Sequence, residues 1–138
     1  MRYLALDLGD RRIGVALSDT LGIVARPVEV FERASRDEDF SYIAKLIEAY
    51  EVDTLICGLP LNMDGTEGPQ AAWVRDYTDA LRQTLSIPVV LWDERLTTED
   101  AKEILHAQGK AIEKDWLDAV AAAVILQSYL DAHADLYV

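Results

Sequence analysis

The chain has 138 residues, about half of them hydrophobic, a size and composition that suit one soluble globular domain spanning 1–138. No apolar run approaches the ~20 residues needed to span a bilayer, and no charged start leads into an apolar h-region, so membrane and export functions are set aside. The single cysteine, Cys57, has no intrachain partner, which points to a reducing compartment, the cytoplasm.

The net charge of −12 has a further consequence. A protein that coats nucleic acid is usually basic, and this one should repel a polyanion at long range. The cations are nonetheless placed selectively. Arg11, Arg12, Arg95, Lys110 and Lys114 lie within a few residues of the acids discussed below, whereas much of the acid excess falls in 37–39 and 131–135. A cationic rim on an acidic body suits weak, site-selective contact; the alternative is that these bases are ordinary solvated surface.

Tyr3 to Leu8 reads as a strand buried on both faces, ended by Gly9. After the turn Gly9–Asp10–Arg11, Arg12 to Ser18 is a second strand in a hairpin with the first. Ile23 to Phe31 is a third, where Pro27 signals an edge or a bulge. Asp37 to Tyr50 has helical apolar spacing, with Asp37 as its cap. Thr54 to Cys57 is another buried strand, closed by Gly58 and Pro60, and Asn62 to Gly65 is rich in turn formers.

Gln70 to Leu85 fits a helix and Pro88 to Trp92 a strand. Thr97 and Asp100 resemble a capping arrangement for a helix to about Ala107. Gly109 to Lys114 is a polar loop, and Asp115 caps a last helix from Trp116 to about Asp131, apolar nearly all round. Hairpin-linked strands should be antiparallel, and strands reached through crossover helices parallel to the first. The expected fold is α/β: a mixed five-stranded sheet in three layers, with helices on both faces.

Two carboxylates are out of place in this pattern. Asp7 ends an otherwise apolar strand, where an unpaired ionised group is strongly disfavoured, and Asp118 repeats the anomaly at the start of an apolar helix. Glu94 follows a strand end, where functional groups often project. Acids at the ends of buried elements suggest a shared Mg²⁺ or Mn²⁺, ions that favour oxygen ligands. The alternatives are local: Asp7 as a capping acid, Asp118 on the helix dipole, Glu94 paired with Arg95 or Arg11. Metal-assisted phosphodiester hydrolysis needs little more than such acids and a cation or two for the phosphate. His106 and His133 lack ligand-like spacing, no GxxxxGK[ST] loop is present, and Cys57 lies in a buried strand, so these three read as structural.

The segments DLGDRRIGVALSD (Asp7 to Asp19), CGLPLNMDGTEGPQA (Cys57 to Ala71), DERLTTEDA (Asp93 to Ala101) and LDAVAAAVILQSYL (Leu117 to Leu130) resemble the YqgF family, also called RuvX. The likeness covers almost the whole chain. GLPLNMDGTE and DERLTT are its specific motifs, while DxGxxxxGVA is shared with the phosphate-binding hairpin of the actin and sugar-kinase superfamily. The resemblance implies a ribonuclease H-like fold akin to RuvC resolvases, with Asp7, Glu94 and Asp118 as catalytic metal ligands. It implies a nuclease maturing the 5′ end of pre-16S ribosomal RNA, in ribosome biogenesis, or a Holliday-junction resolvase, for which a homodimer is expected. A non-catalytic nucleic-acid or transcription-machinery binding protein is the competing class.

Within that frame Arg11, Arg12, Arg95 and Asn62 are the expected substrate contacts. Gly9 and Gly14 would allow a tight hairpin and close approach of a phosphate. Asp115, three residues before Asp118, stands either as a fourth acid or as a helix cap.

Overall fold

The computed structural model describes residues 1–97 and 116–134. The hairpin pairs β1 (Tyr3–Leu8) with β2 (Arg12–Ser18), both with the bounds the apolar runs predict. Its register sets Ala5 opposite Ala16 and Asp7 opposite Gly14. β3 (Ala25–Glu32) lies antiparallel to β2 at the sheet edge. After α1 (Arg36–Ala49), β4 (Thr54–Leu59) runs parallel to β1; after α2 (Pro69–Thr84), β5 (Val89–Asp93) runs parallel to β4. A 3₁₀ turn, Glu94–Leu96, follows β5, and α3 (Leu117–Ala132) is the last described helix. The described residues thus form one five-stranded sheet in the order β3-β2-β1-β4-β5. It is the mixed α/β sheet expected from the order of elements.

Side chains alternate across the sheet and divide the core in two. Leu4, Leu6 and Leu8 of β1 pack with Phe40 and Ile43 of α1 and with Val74, Tyr77 and Leu81 of α2. Tyr3 and Ala5 face the other way, with Ala16 and Ile56, against Val120, Ala122, Ala123 and Leu126 of α3. Asp7 continues this second set, so the alternation aims its side chain at the α3 layer. Alanines on both sides of that interface let the helix lie close to the sheet.

Several boundaries differ from expectation, each for a local reason. β3 starts at Ala25 rather than Ile23, because the Asp19 carboxylate accepts the N–H groups of Ile23 (2.7 Å) and Val24 (3.3 Å) and holds them in the turn. Pro27 sits both on the edge strand and at a bulge, where the register shifts opposite Val15 and Ala16. The cap of α1 is Ser35, whose side chain accepts the Glu38 N–H at 3.1 Å; Asp37 lies in the first turn instead. β4 continues through Gly58 to Leu59. The expected 97–107 helix beyond Thr97, the 109–114 loop, Lys110, Lys114 and Asp115 lie outside the described residues, as does His106. Among the described residues no helix is long and apolar enough to cross a membrane.

Candidate active site

Parallel strands β1, β4 and β5 all end at one edge of the sheet, and the suspect acids gather there. Asp7 is the penultimate residue of β1, Glu94 is the first residue after β5, and Asp118 occupies the first turn of α3. Asp7 and Glu94 both line a cleft of about 370 Å³, together with Gly9, Gly58, Pro60 and Gln70. Burial, then the nearby Asp118 carboxylate, push the Asp7 pKa up to about 6. Burial, then Asp7 and Asp93, push Glu94 up to about 7. Desolvation disfavours the charged form and like charges compound it, so these acids crowd one another electrostatically.

Two glycines make this convergence possible. A Cβ on Gly14 would stand 1.9 Å from the Asp118 carbonyl oxygen, so the start of α3 rests directly on the β2 backbone. A Cβ on Gly58 would stand 3.0 Å from Glu94 Oε1, so the Glu94 carboxyl lies over β4. The sequence suggests that Gly14 admits a phosphate, but the close neighbour is the protein's own helix. Gly9 does serve the tight turn, donating its N–H to the Arg12 carbonyl at 3.1 Å.

The expected substrate contacts fare differently. Arg11 is exposed on the β1–β2 turn, in a polar cavity of about 640 Å³ that also involves Asp10, Arg12, Glu32 and Arg33. Arg12 reaches Asp118, Nε to Oδ2 at 3.4 Å. Arg95 forks onto its neighbour Asp93, with Nη2–Oδ2 at 2.8 Å, and donates through Nη1 to the Met63 carbonyl at 3.2 Å. The Asn62 amide donates to Thr66 Oγ1 at 3.0 Å, closing its own loop. Arg95 and Asn62 therefore brace the loop after β4 in this state, and Arg11 faces solvent.

Arg33 carries no signal of a role at the site in its sequence neighbourhood. Its guanidinium donates to the carbonyls of Gly9 (3.1 Å) and Asp10 (2.8 Å) and stacks over Trp73 at 4.1 Å. It pins the turn that follows Asp7, yet no acid motif adjoins it in the chain; only the β3–β2 pairing brings it there. Gly58 carried a legible signal, a glycine within an apolar strand, which often marks close approach of another group. Cys57 is fully buried, with its thiol pushed up to about 12 by that burial, and His133 Nδ1 lies 2.7 Å from the Tyr129 carbonyl at the end of α3. Both occupy structural positions.

Among the described residues, no three acidic, histidine or cysteine side chains are grouped as a ready-made cation cage. The donor chemistry nevertheless suits a divalent ion: hard carboxylate oxygens whose mutual repulsion a cation would relieve.

Solved structures with the same architecture are RuvC-like resolvases of the ribonuclease H fold. Thermus thermophilus RuvC aligns with a TM-score of 0.64 at 11% identity over 96% of both chains. The same protein in complex with Holliday junction substrate gives a TM-score of 0.65 at 12% identity, again over 96% of both chains. The yeast mitochondrial Holliday junction resolvase Ydc2 gives 0.62 at 12% identity, over 98% of this chain and 80% of that one. This chain therefore has the ribonuclease H-like fold.

A family model described as "RuvX: Holliday junction resolvase" matches residues 1–132, and the chain belongs to the RuvX family. Relatives named "Putative pre-16S rRNA nuclease" include one from Thermoanaerobacter pseudethanolicus, 44% identical over 96% of this chain and 97% of that protein. Another, from Halothermothrix orenii, is 46% identical over 99% of both.

Proposed function

We propose that this protein is a divalent-metal-dependent nuclease of the cytoplasm that hydrolyses phosphodiester bonds in precursor 16S rRNA, with Asp7, Glu94 and Asp118 as its metal ligands and catalytic acids. The observation that carries the reading is the pairing of Asp7 and Glu94 in one cleft, both with carboxyl pKa values pushed up by burial and by neighbouring acids. An uncompensated cluster of this kind costs stability, and a bound cation turns it into a favourable one. When bound, Mg²⁺ or Mn²⁺ would polarise the phosphoryl group and lower the pKa of an attacking water.

The chain's own residues do the rest. Asp7 and Glu94 are held by strand ends, so their carboxyl groups are fixed before substrate arrives. Arg12 is ion-paired to Asp118 and orients that carboxylate from the β2 side. Arg11 stands beside the cleft as a phosphate contact, and the net charge of −12 discourages binding elsewhere. The RuvC-like fold and the RuvX description favour a second reading, resolution of four-way DNA junctions by a homodimer.

The test is cleavage of a precursor 16S fragment, single-stranded RNA and a four-way DNA junction in Mg²⁺ or Mn²⁺, with Asp7→Asn and Asp118→Asn alongside. Loss of cleavage in both variants is expected. Activity surviving both substitutions would sink the metal-site reading. Paired symmetrical nicks confined to the junction would select the resolvase, and binding to all three without cleavage would select a non-catalytic role.

A further inference from the structure

Among the described residues Met63 is the most exposed large hydrophobic side chain, 89% accessible. It stands in the loop after β4, at the edge of the sheet where Asp7 and Glu94 lie, three residues beyond Pro60 of the cleft wall. The loop is stiff. Asn62 N–H donates to the Thr66 carbonyl (2.9 Å), Gly65 N–H to the Asn62 carbonyl (2.8 Å), and Thr66 Oγ1 to Asp64 Oδ1 (2.6 Å). Gly65 takes φ +89°, a conformation that suits glycine. Arg95, the residue after Glu94, ties the Met63 carbonyl to the site at 3.2 Å. A loop closed by its own hydrogen bonds thus holds one apolar side chain in water, with its backbone anchored through Arg95, the residue after Glu94.

We infer that Met63 is a wedge that enters a base step of the nucleic acid and unstacks it next to the cleft. Apolar side chains of this shape insert between bases and open the stack, so the backbone can bend toward the protein. A single side chain buries far too little area to dock a protein, which takes about 800 Å² per partner, whereas a base step accommodates one. The inference rests on the nuclease reading for its location and names the feature that site would select: paired or branched strands that must be opened before they fit.

The probe is an RNA duplex carrying one 2-aminopurine, with the same-sequence single strand beside it. Emission and anisotropy are read in Ca²⁺ buffer and cleavage in Mn²⁺, for wild type, Met63→Leu and Met63→Ala. Wild type and Met63→Leu should raise duplex emission about threefold or more, while Met63→Ala binds within about threefold of wild type and leaves the stack closed. Met63→Ala should cleave the duplex about tenfold more slowly and the single strand at the wild-type rate, because only the duplex needs opening. Equal emission from Met63→Ala and wild type, no emission change with wild type, or equal cleavage loss on both substrates would overturn the wedge. If no protein cleaves either substrate the nuclease reading fails, and the emission of the bound duplex still decides the wedge.

Discussion

Gly14 and Asp118 meet backbone to backbone: a Cβ on Gly14 would stand 1.9 Å from the Asp118 carbonyl oxygen and 2.8 Å from the Ala119 nitrogen. Because Gly14 is the cross-strand partner of Asp7, the same contact sets α3 beside the end of β1. One missing side chain therefore fixes the separation of two candidate metal ligands. Gly14→Ala should push the first turn of α3 outward, with a stability loss of about 1–3 kcal/mol from overpacking. Cleavage should fall far more than stability does, by about a hundredfold, since small misplacements of reacting groups are costly. Urea denaturation and single-turnover kinetics on the same preparation separate the two effects.

Gly58→Ala tests the opposite wall. Its Cβ would meet Ile125 Cδ1 at 2.7 Å and Glu94 Oε1 at 3.0 Å, both ends of side chains that can turn away. The expected stability cost is about 1 kcal/mol, smaller than for Gly14→Ala, because no backbone must move. Cleavage should drop about tenfold as Glu94 shifts, with a higher Mg²⁺ requirement in a metal titration. An unchanged metal requirement would remove Glu94 from the ion site.

Without a divalent ion, stability should fall as pH rises. The folded pKa of Asp7, about 6, lies above its ordinary 3.8, so between these values the native state holds a proton that the unfolded chain has released. Its stabilising contribution is complete below about pH 4 and is lost as pH climbs through 6. Glu94 repeats this from 4.5 to about 7. Asp7→Asn in EDTA should then raise stability at pH 8 by about 2 kcal/mol, and Mg²⁺ should stabilise the wild type but not the variant. Thermal melts at pH 5 and pH 8, with and without Mg²⁺, read all four conditions. A wild-type protein equally stable at both pH values in EDTA would contradict the crowded-acid reading.

Arg33 makes the β1–β2 turn a braced element. Removing its bonds to the Gly9 and Asp10 carbonyls and its stack on Trp73 should cost about 1–3 kcal/mol in Arg33→Ala. Arg33→Lys keeps the charge but loses the planar fork and should recover only part of the loss. Because the turn borders both the acidic cleft and the Arg11 cavity, KM should rise more than kcat falls. Trp73 emission reports the loss of the stacked guanidinium directly.

Much of the fold was legible because its cause is local. The apolar runs of β1 and β2 and the 3.6-residue spacing of α1, α2 and α3 are written in consecutive residues, and the bounds of these elements agree to within a residue or two. The bounds differ from the hydrophobic pattern where turn chemistry overrides it, as Asp19 does by accepting the Ile23 and Val24 N–H groups, or where two capping signals compete and Ser35 prevails over Asp37. At the site, Asp7 and Asp118 were conspicuous as acids on apolar elements, while Glu94 drew its place mainly from the DERLTT motif.

By itself the sequence determined which groups were anomalous: burial in an apolar element is a one-dimensional pattern, and an acid that interrupts it is visible there. Only the tertiary structure decided how those groups are served. It assigned Gly14 to a helix rather than a phosphate, engaged Arg12 with Asp118 and Arg95 with Asp93, brought Arg33 under the turn and left Met63 in solvent. These are distances between residues tens of positions apart, set by strand order and by the face each side chain takes, and spacing along the chain carries neither.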